Sequence, residues 1–594
     1  MEPLFFRVKG DFIVVLLSEW LDLNCVGRLD MAMTSKTHRP TWLEALRVMR
    51  SPLIDCLEHD RNSLRWMNSR GVQMTKLVFC KSCKGTFAAK FFAELDHILP
   101  QLTCINFIKN GQVRIDDGSV ALIGQRCSRL ATLVFGYCYR EPPAILEGLF
   151  KNNPELASIK IRHCFPTMLE SIATHCSRLE HLDVNVCEDM EPRSKHVLRQ
   201  IICSQPHLKR LFVTSDGDDS DHFEFEPVLS DILQHCRFLE EFSISGYGKF
   251  KTISHQDSPS LGLMRCKKLR IHDCDLVPQD FSYLASNTVL ESLDVKTSTV
   301  DPDTYLVDLS QGCPALKKLE FYITILDDYA SSPYTMGIQA LSRAPFCVAL
   351  ESLTIHGCRD VDDQCFVHLS RCSMLHTFVI SSPTFRSYTV AGLKALLAGC
   401  RLLRYLKLPG GDDDELFAIA AGCPLLERLL VWHLWGVSTA AKHAVFSSCT
   451  KLREIDLDVR LTEETIECIA RHIPNIETLH VYRGVNSISS TLWTLLATQC
   501  PLLRHVPYNE DDSCEEAMKI FARLCPLLES FGEYGKREIN AERRRAREIE
   551  ETLGSLRNVQ DLPPQTAEAK LRMALSMIYD RHPELYVSIA GTPK

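Results

Sequence analysis

One spacing recurs eighteen times along this chain: a start residue that is most often Cys, an apolar residue three positions later, a second three further on and, in all but the last copy, a third two beyond that. Copies start at Gly71, Leu99, Cys127, Asn153, Cys176, Gln205, Cys236, Leu263, Asn287, Cys313, Cys347, Cys372, Cys400, Cys423, Cys449, Ile473, Cys500 and Cys525, the first two being the poorest. Leu fills the second position in fifteen of the eighteen, and the third is apolar in all of them. The fourth carries residues such as Phe135, Ile161, Val184, Val295, Phe321 and Val431, mostly β-branched or aromatic. Apolar residues at period two put both side chains on one face of a short strand and leave the alternate positions wet.

Between these strands, stretches such as Asp362–Cys372, Asp413–Cys423 and Thr462–Ile473 open with an Asp or Thr N-cap and continue with apolar residues at helical spacing. Each copy therefore reads as a strand followed by a helix. Neither element buries its apolar side alone, so stacking supplies the core and aligns the strands in parallel. The steps run from 23 to 34 residues with a mean of about 27, inside the range of leucine-rich repeats. The expected fold is α/β: a leucine-rich-repeat solenoid curved like a horseshoe, parallel strands inside and helices outside, over residues 71–535.

Eleven of the 26 cysteines sit at the frame start, and Cys138, Cys164, Cys187, Cys274 and Cys358 sit eleven positions later. At the bend between helix and strand a cysteine behaves as a small apolar residue, and in eight copies Pro follows the frame start, as suits a position where a helix has ended. Reduced structural thiols are expected, which implies the cytosol or nucleus. Cys80 and Cys83 form one CxxC, without the second pair a zinc site needs. No metal site and no cofactor are expected.

A net charge of −8 over 594 residues argues against a nucleic-acid surface spread over the molecule. No apolar stretch approaches the ~20 residues of a membrane span, and the run Phe12–Leu17 is too short for a secretion signal. The expectation is a cytoplasmic or nuclear protein that binds neither nucleic acid nor membrane. Nucleophile-elbow, zinc-protease, P-loop and dinucleotide motifs are absent from the sequence, so no catalytic residue is assigned and the chain is not expected to be an enzyme.

Ahead of the repeats, residues 11–50 carry short amphipathic segments: Phe12 to Leu21, Leu23 to Met33, and Trp42, Leu43 and Leu46, broken at Asp22 and Pro40. The stretch DFIVVLLSEWLDLNCVGRLDMAMTSKTHRPTWLEAL resembles an F-box, matching its pattern at Leu17, Trp20, Leu21, Asp22, Val26, Arg28, Leu29, Lys36 and Trp42. It departs from that pattern at Lys9, Gly10 and Asp11, where F-boxes usually carry Leu-Pro. A short helical cap closing the first repeat has the same amphipathicity. The division expected is 1–50 F-box-like module, 51–70 linker or N-terminal cap, 71–535 repeats, and 536–594 C-terminal helical cap or tail.

Together, this module and the cysteine-containing repeats resemble the F-box/leucine-rich-repeat substrate receptors of cullin-RING ubiquitin ligases. The resemblance implies a non-catalytic subunit of an SCF-type ligase, monomeric within the complex. Its adaptor contacts would be Leu17, Trp20, Leu21, Val26, Leu29 and Trp42, and the repeats would hold a protein substrate on the concave strand face. The alternative is a repeat scaffold or regulator unrelated to ubiquitin.

Positions five, seven and nine of the frame face solvent. In the later copies they include Tyr405, Lys407, Arg428, Leu430, Trp432, Glu454, Asp456, Asp458, Thr478, His480 and Tyr482, with His433, Trp435 and Arg483 nearby. Exposed Trp, Tyr and Arg are the types enriched at binding hot spots, so the candidate substrate contacts are Tyr405, Lys407, Arg428, Trp432, His480, Tyr482 and Arg483. The competing reading is that these rings pack against adjacent side chains. Earlier copies carry a broken basic patch at Lys160, Arg162, His163, Lys268, Arg270 and His272, interrupted by Asp183. Insertions fall at Ser215–Glu226, between Ile325 and Gly337 and near Thr384–Tyr388. The last stretch, Lys536–Glu551, reads as a surface helix with both charge signs, and Ala567–Tyr579 as a capping helix.

Overall fold

The structure is a computed structural model. It describes residues 39–48 and 61–547, apart from 80–84, 108–112, 136–142, 187–192, 216–235, 250–264, 276–286, 298–301, 324–334, 358–360, 382–386, 433–436, 458–462, 481–488, 507–513, 533–534 and 536–537. The chain divides into two compact units, one of residues 1–332 with 343–346 and one of 333–342 with 347–594. In sequence the division falls at the insertion between Ile325 and Gly337.

Each of the eighteen repeat strands begins five residues after a frame start, from Lys76–Val78 to Ser530–Phe531. The first unit holds ten of them in one parallel ladder ending at Lys318–Ile323. Eight form the ladder of the second unit, beginning at Ser352–His356. The carbonyl just before each strand sets the register by accepting two N–H groups of the next copy. Glu180 O takes Lys209 N at 2.8 Å and Arg210 N at 3.0 Å, and Arg453 O takes Glu477 N at 2.7 Å and Thr478 N at 2.9 Å. The α/β leucine-rich-repeat architecture follows. A smaller parallel pair, Gly85–Phe87 with Val113–Ile115, was not legible in the frame.

Every apolar residue at frame positions three and six is buried, from Met74 and Leu77 to Leu528 and Phe531. The helices cover that side of the strands, as ring contacts demonstrate: Tyr305 meets Phe321 at 6.2 Å, Phe366 meets Phe378 at 5.8 Å, and Trp493 and Phe521 meet Phe531 at 6.3 and 5.1 Å. A buried Leu contributes roughly 1.5–3 kcal/mol, so each copy leans on its neighbours for stability.

All eleven frame-start cysteines are buried thiols, and several do more than fill space. The Cys449 thiol donates to Cys423 O at 3.3 Å, Cys400 to Cys372 O at 3.4 Å and Cys525 to Cys500 O at 3.6 Å. Each thus satisfies a carbonyl of the preceding copy. Where the frame starts with an amide, the amide does the same: Asn153 Nδ2 donates to Cys127 O at 2.8 Å and Gln205 Nε2 to Cys176 O at 2.5 Å. This explains why Cys, Asn and Gln share one position. Burial pushes the thiols of Cys127, Cys176, Cys236, Cys313, Cys400, Cys449, Cys500 and Cys525 up to about 12, which leaves them poor nucleophiles near neutral pH.

The series closes at Arg543, in the helix over 538–547. Its Nη2 donates to Cys525 O at 2.7 Å and Leu528 O at 3.3 Å, and its Nε to Ala522 O at 3.0 Å. With no further copy to supply a donor, an arginine from the tail takes its place, and the neighbouring Glu542 accepts from Arg523 at 2.7 Å. Arg543→Ala is therefore expected to cost about 2–3 kcal/mol, the scale of buried groups losing charge-assisted hydrogen bonds. Hydrogen exchange should speed up in Cys514–Leu524 while the first unit is unaffected. Ala567–Tyr579, expected to cap the array, lies outside the described residues, as do Glu548 and Glu551.

At the other end, the helices Arg39–Val48 and Arg61–Arg70 precede the first strand. Asn68 ties the second of these to the array, donating to Glu94 O at 2.6 Å and accepting from His97 N at 3.0 Å. Trp42 and Leu46 are fully buried. Of the residues expected to contact the adaptor, Trp42 alone is among the described ones, and its side chain has no exposed surface. Leu17, Trp20, Leu21, Val26 and Leu29 lie outside the described residues, as do Cys80 and Cys83.

Helix starts follow the expected capping with one shift. Asp362 accepts from Cys365 N at 2.9 Å. For the next Asp-led helix, Asp413–Gly422, the cap is Asp412 and not Asp413, because Asp412 and Glu415 form a reciprocal capping box. Asp413 instead accepts from Ser438 N of the next copy at 2.7 Å. Thr462 is outside the described residues.

Candidate functional site

In the second unit, register aligns the residues at frame positions five and seven in rows across the strands. One row runs Thr377, Tyr405, Arg428, Glu454, Thr478, His505 and Ser530, and the next runs Val379, Lys407, Leu430 and Asp456. Of the seven residues expected to contact a substrate, Tyr405, Lys407, Arg428, Trp432 and His480 fall on this face or directly beyond its strands. Tyr482 and Arg483 lie outside the described residues, as do His433, Trp435 and Asp458.

These five are interlocked. Arg428 lies over the Tyr405 ring at 4.3 Å and donates from Nε to Glu454 Oε2 at 2.6 Å. Lys407 Nζ lies over the Trp432 ring at 3.9 Å. His480 Nδ1 is 3.8 Å from Asp456 Oδ2, and Asp456 is only 4% exposed. The rings therefore pack against neighbours, and those neighbours are cations held on the outer face of the sheet.

The electrostatics follow from this packing. Desolvation lowers the Lys407 pKa, opposed by the Asp456 carboxylate. The hydrogen bond to Glu454 raises that of Arg428, and burial raises that of the Tyr405 phenol. Glu454 and Asp456 are the anions that organise the face, although the residue types enriched at hot spots pointed only to the rings and cations. Their signal was positional, since both occupy outward positions of the frame.

A neighbouring row has another character. From Arg404 onward the residue before each strand alternates in sign, and the second unit pairs Arg404 with Glu427 at 2.9 Å, Arg453 with Glu477 at 3.0 Å and Arg504 with Glu529 at 3.3 Å. These pairs are exposed and contribute little stability individually. They disfavour a one-copy slip of the stack.

In the first unit the basic patch is largely neutralised. Lys160 pairs with Asp183, Lys268 with Glu241 at 2.5 Å, and Arg270 and His272 hold the two oxygens of Asp294 at 2.7 and 2.8 Å. Burial of Asp294 opposes its ionisation, but the hydrogen bonds from His272 and Arg270 outweigh it and keep the carboxyl below the usual carboxylate range. No cluster of metal-ligating side chains occurs among the described residues, and no described helix is long and apolar enough to cross a membrane.

The second-unit face is thus a set of ring faces, cations and carboxylates held on rigid strands. It is suited to stacking on side chains of a bound polypeptide and hydrogen-bonding them. No protein-family model and no curated protein matches the chain. Among solved structures, it is similar to the TLR13 chain of a TLR13–ssRNA13 complex, with 12% identity over 73% of this chain and 64% of that one, at a TM-score of 0.35. It is likewise similar to a chain of the Rad7 and Elc1 complex in yeast, with 14% identity over 63% of this chain and 87% of that one, also at 0.35. The chain thus spans just under two thirds of the length of the TLR13 chain.

Proposed function

We propose that this protein is the non-catalytic substrate-recognition subunit of an SCF-type cullin-RING ubiquitin ligase. It would act in the cytoplasm or nucleus, with residues 11–50 engaging the ligase adaptor and the strand face of the second unit holding the protein to be modified. The observation that carries the partner-binding half is the Tyr405–Arg428–Glu454 row with Lys407 on Trp432 beside it. Such aromatic and guanidinium groups are the usual anchors of a protein interface. The adaptor half rests on the F-box resemblance. Tethering a substrate raises its effective concentration beside the ubiquitin-loaded enzyme, and that proximity is the mechanism.

Capture of the full-length chain from cell extract tests the adaptor half. The adaptor and a cullin should be recovered, and Leu21→Asp with Leu29→Asp should abolish their recovery while leaving the thermal stability of the repeats unchanged. Recovery of neither subunit with the unsubstituted chain overturns the ligase reading. A second reading, an interaction scaffold whose first seventy residues only cap the repeats, draws support from the burial of Trp42 and Leu46.

A further inference from the structure

Along the second unit, the frame-start thiols of Cys400, Cys449, Cys500 and Cys525 donate to main-chain carbonyls. At one step the pattern breaks: the Cys372 sulfur faces the Cys347 sulfur at 3.0 Å. Both residues start adjacent copies and both are about 2% exposed or less. We propose that Cys347 and Cys372 are a cross-linking site, two thiols that a peroxide oxidant converts to a disulfide between consecutive repeats. A disulfide needs its sulfurs about 2.05 Å apart, so the required approach is roughly 1 Å.

The chemistry balances with hydrogen peroxide as oxidant. The Cys347 thiolate attacks one peroxide oxygen, the O–O bond breaks, and a sulfenic acid and hydroxide result; the hydroxide takes the Cys372 proton and becomes water. The Cys372 thiolate then attacks the sulfenic sulfur, the S–S bond forms, and the sulfenic oxygen leaves as hydroxide, which is protonated by the hydrogen ion released when the Cys347 thiolate formed. The two sulfurs together lose two electrons, and peroxide is reduced to two waters. Cys347 is the fitting attacker. The hydrogen bond from Cys372 and the charge of Arg371 stabilise its thiolate against burial, whereas Cys372 is pushed upward by that same bond and by burial.

The site has a structural consequence for the candidate face. Cys372 leads into Thr377–Ser381, whose Thr377 and Val379 lie in register with Tyr405 and Lys407. A bond here braces the strand beside the interlocked rings and cations.

The test uses the native full-length protein, treated with hydrogen peroxide, denatured, alkylated and digested with trypsin without reduction. The expected product is peptide 344–359 joined to 372–386, with Cys358 alkylated and the link lost on adding dithiothreitol. In Cys347→Ser the Cys372 peptide should remain alkylated and unlinked. The proposal is overturned if Cys347 and Cys372 stay alkylated while other cysteines oxidise, or if their link forms only after unfolding in urea.

Discussion

Gly399→Ala should destabilise the second unit by about 3 kcal/mol or more, the upper range for forcing atoms into a packed interior. A Cβ at Gly399 would lie 1.9 Å from Ser370 O and 2.6 Å from its carbonyl carbon. Those are backbone atoms at the end of the helix Asp363–Leu369, which no rotamer change can move aside. Alanine would gain up to about 1 kcal/mol of helix propensity, well short of the clash. Urea unfolding should show a lower midpoint for the second unit, and hydrogen exchange should locate the loss in Val390–Gly399 and Asp363–Leu369. Gly148→Ala is the control, since its Cβ would meet nothing within 4 Å, and it should be neutral or slightly stabilising.

Arg428→Glu should lower partner affinity tenfold or more while changing stability by less than about 1 kcal/mol, as expected for a half-exposed ion pair. The substitution removes the cation over Tyr405 and sets two carboxylates side by side at Glu454. Arg453→Glu makes the same charge change one residue before its strand, in the exposed Arg453–Glu477 pair. Its effect on recovery of the partner should be small. Equal losses in the two variants would mean that overall charge, and not this face, governs binding.

The repeat frame anticipated a strand in each of the eighteen copies because burial has a simple period there: an apolar residue at position three, usually Leu, and another at position six must both reach the core. It left the role of the frame-start residue half read. Cysteine was legible as a small buried group, but its donation to the preceding copy became apparent only beside Asn153 and Gln205, which do the same with stronger donors. Arg543 was hidden in a charged run whose composition suggested only a solvated helix. Its three carbonyl acceptors come from residues 15 to 21 positions earlier, a distance no local pattern marks. Trp42 is ambiguous for a related reason, since an aromatic residue in an amphipathic segment fits a docking face and a core equally well.

For the candidate site, alternation within each strand told which side chains point outward. It could not tell which of them touch. Whether Lys407 lies over Trp432 or reaches into solvent depends on the register between copies, and the steps between copies vary in length. The anions Glu454 and Asp456 were visible as positions on the face, but their organising role depends on cations supplied by neighbouring strands.

Site-specific photo-crosslinking tests most directly whether the strand face holds the partner. A benzoylphenylalanine would replace Lys407 on that face, or Phe417, a 44% exposed residue of the helix layer. Illumination in cells should yield covalent partner adducts from position 407 and none from position 417. Adducts from position 417 without any from position 407 would contradict the assignment and move the binding surface to the helices.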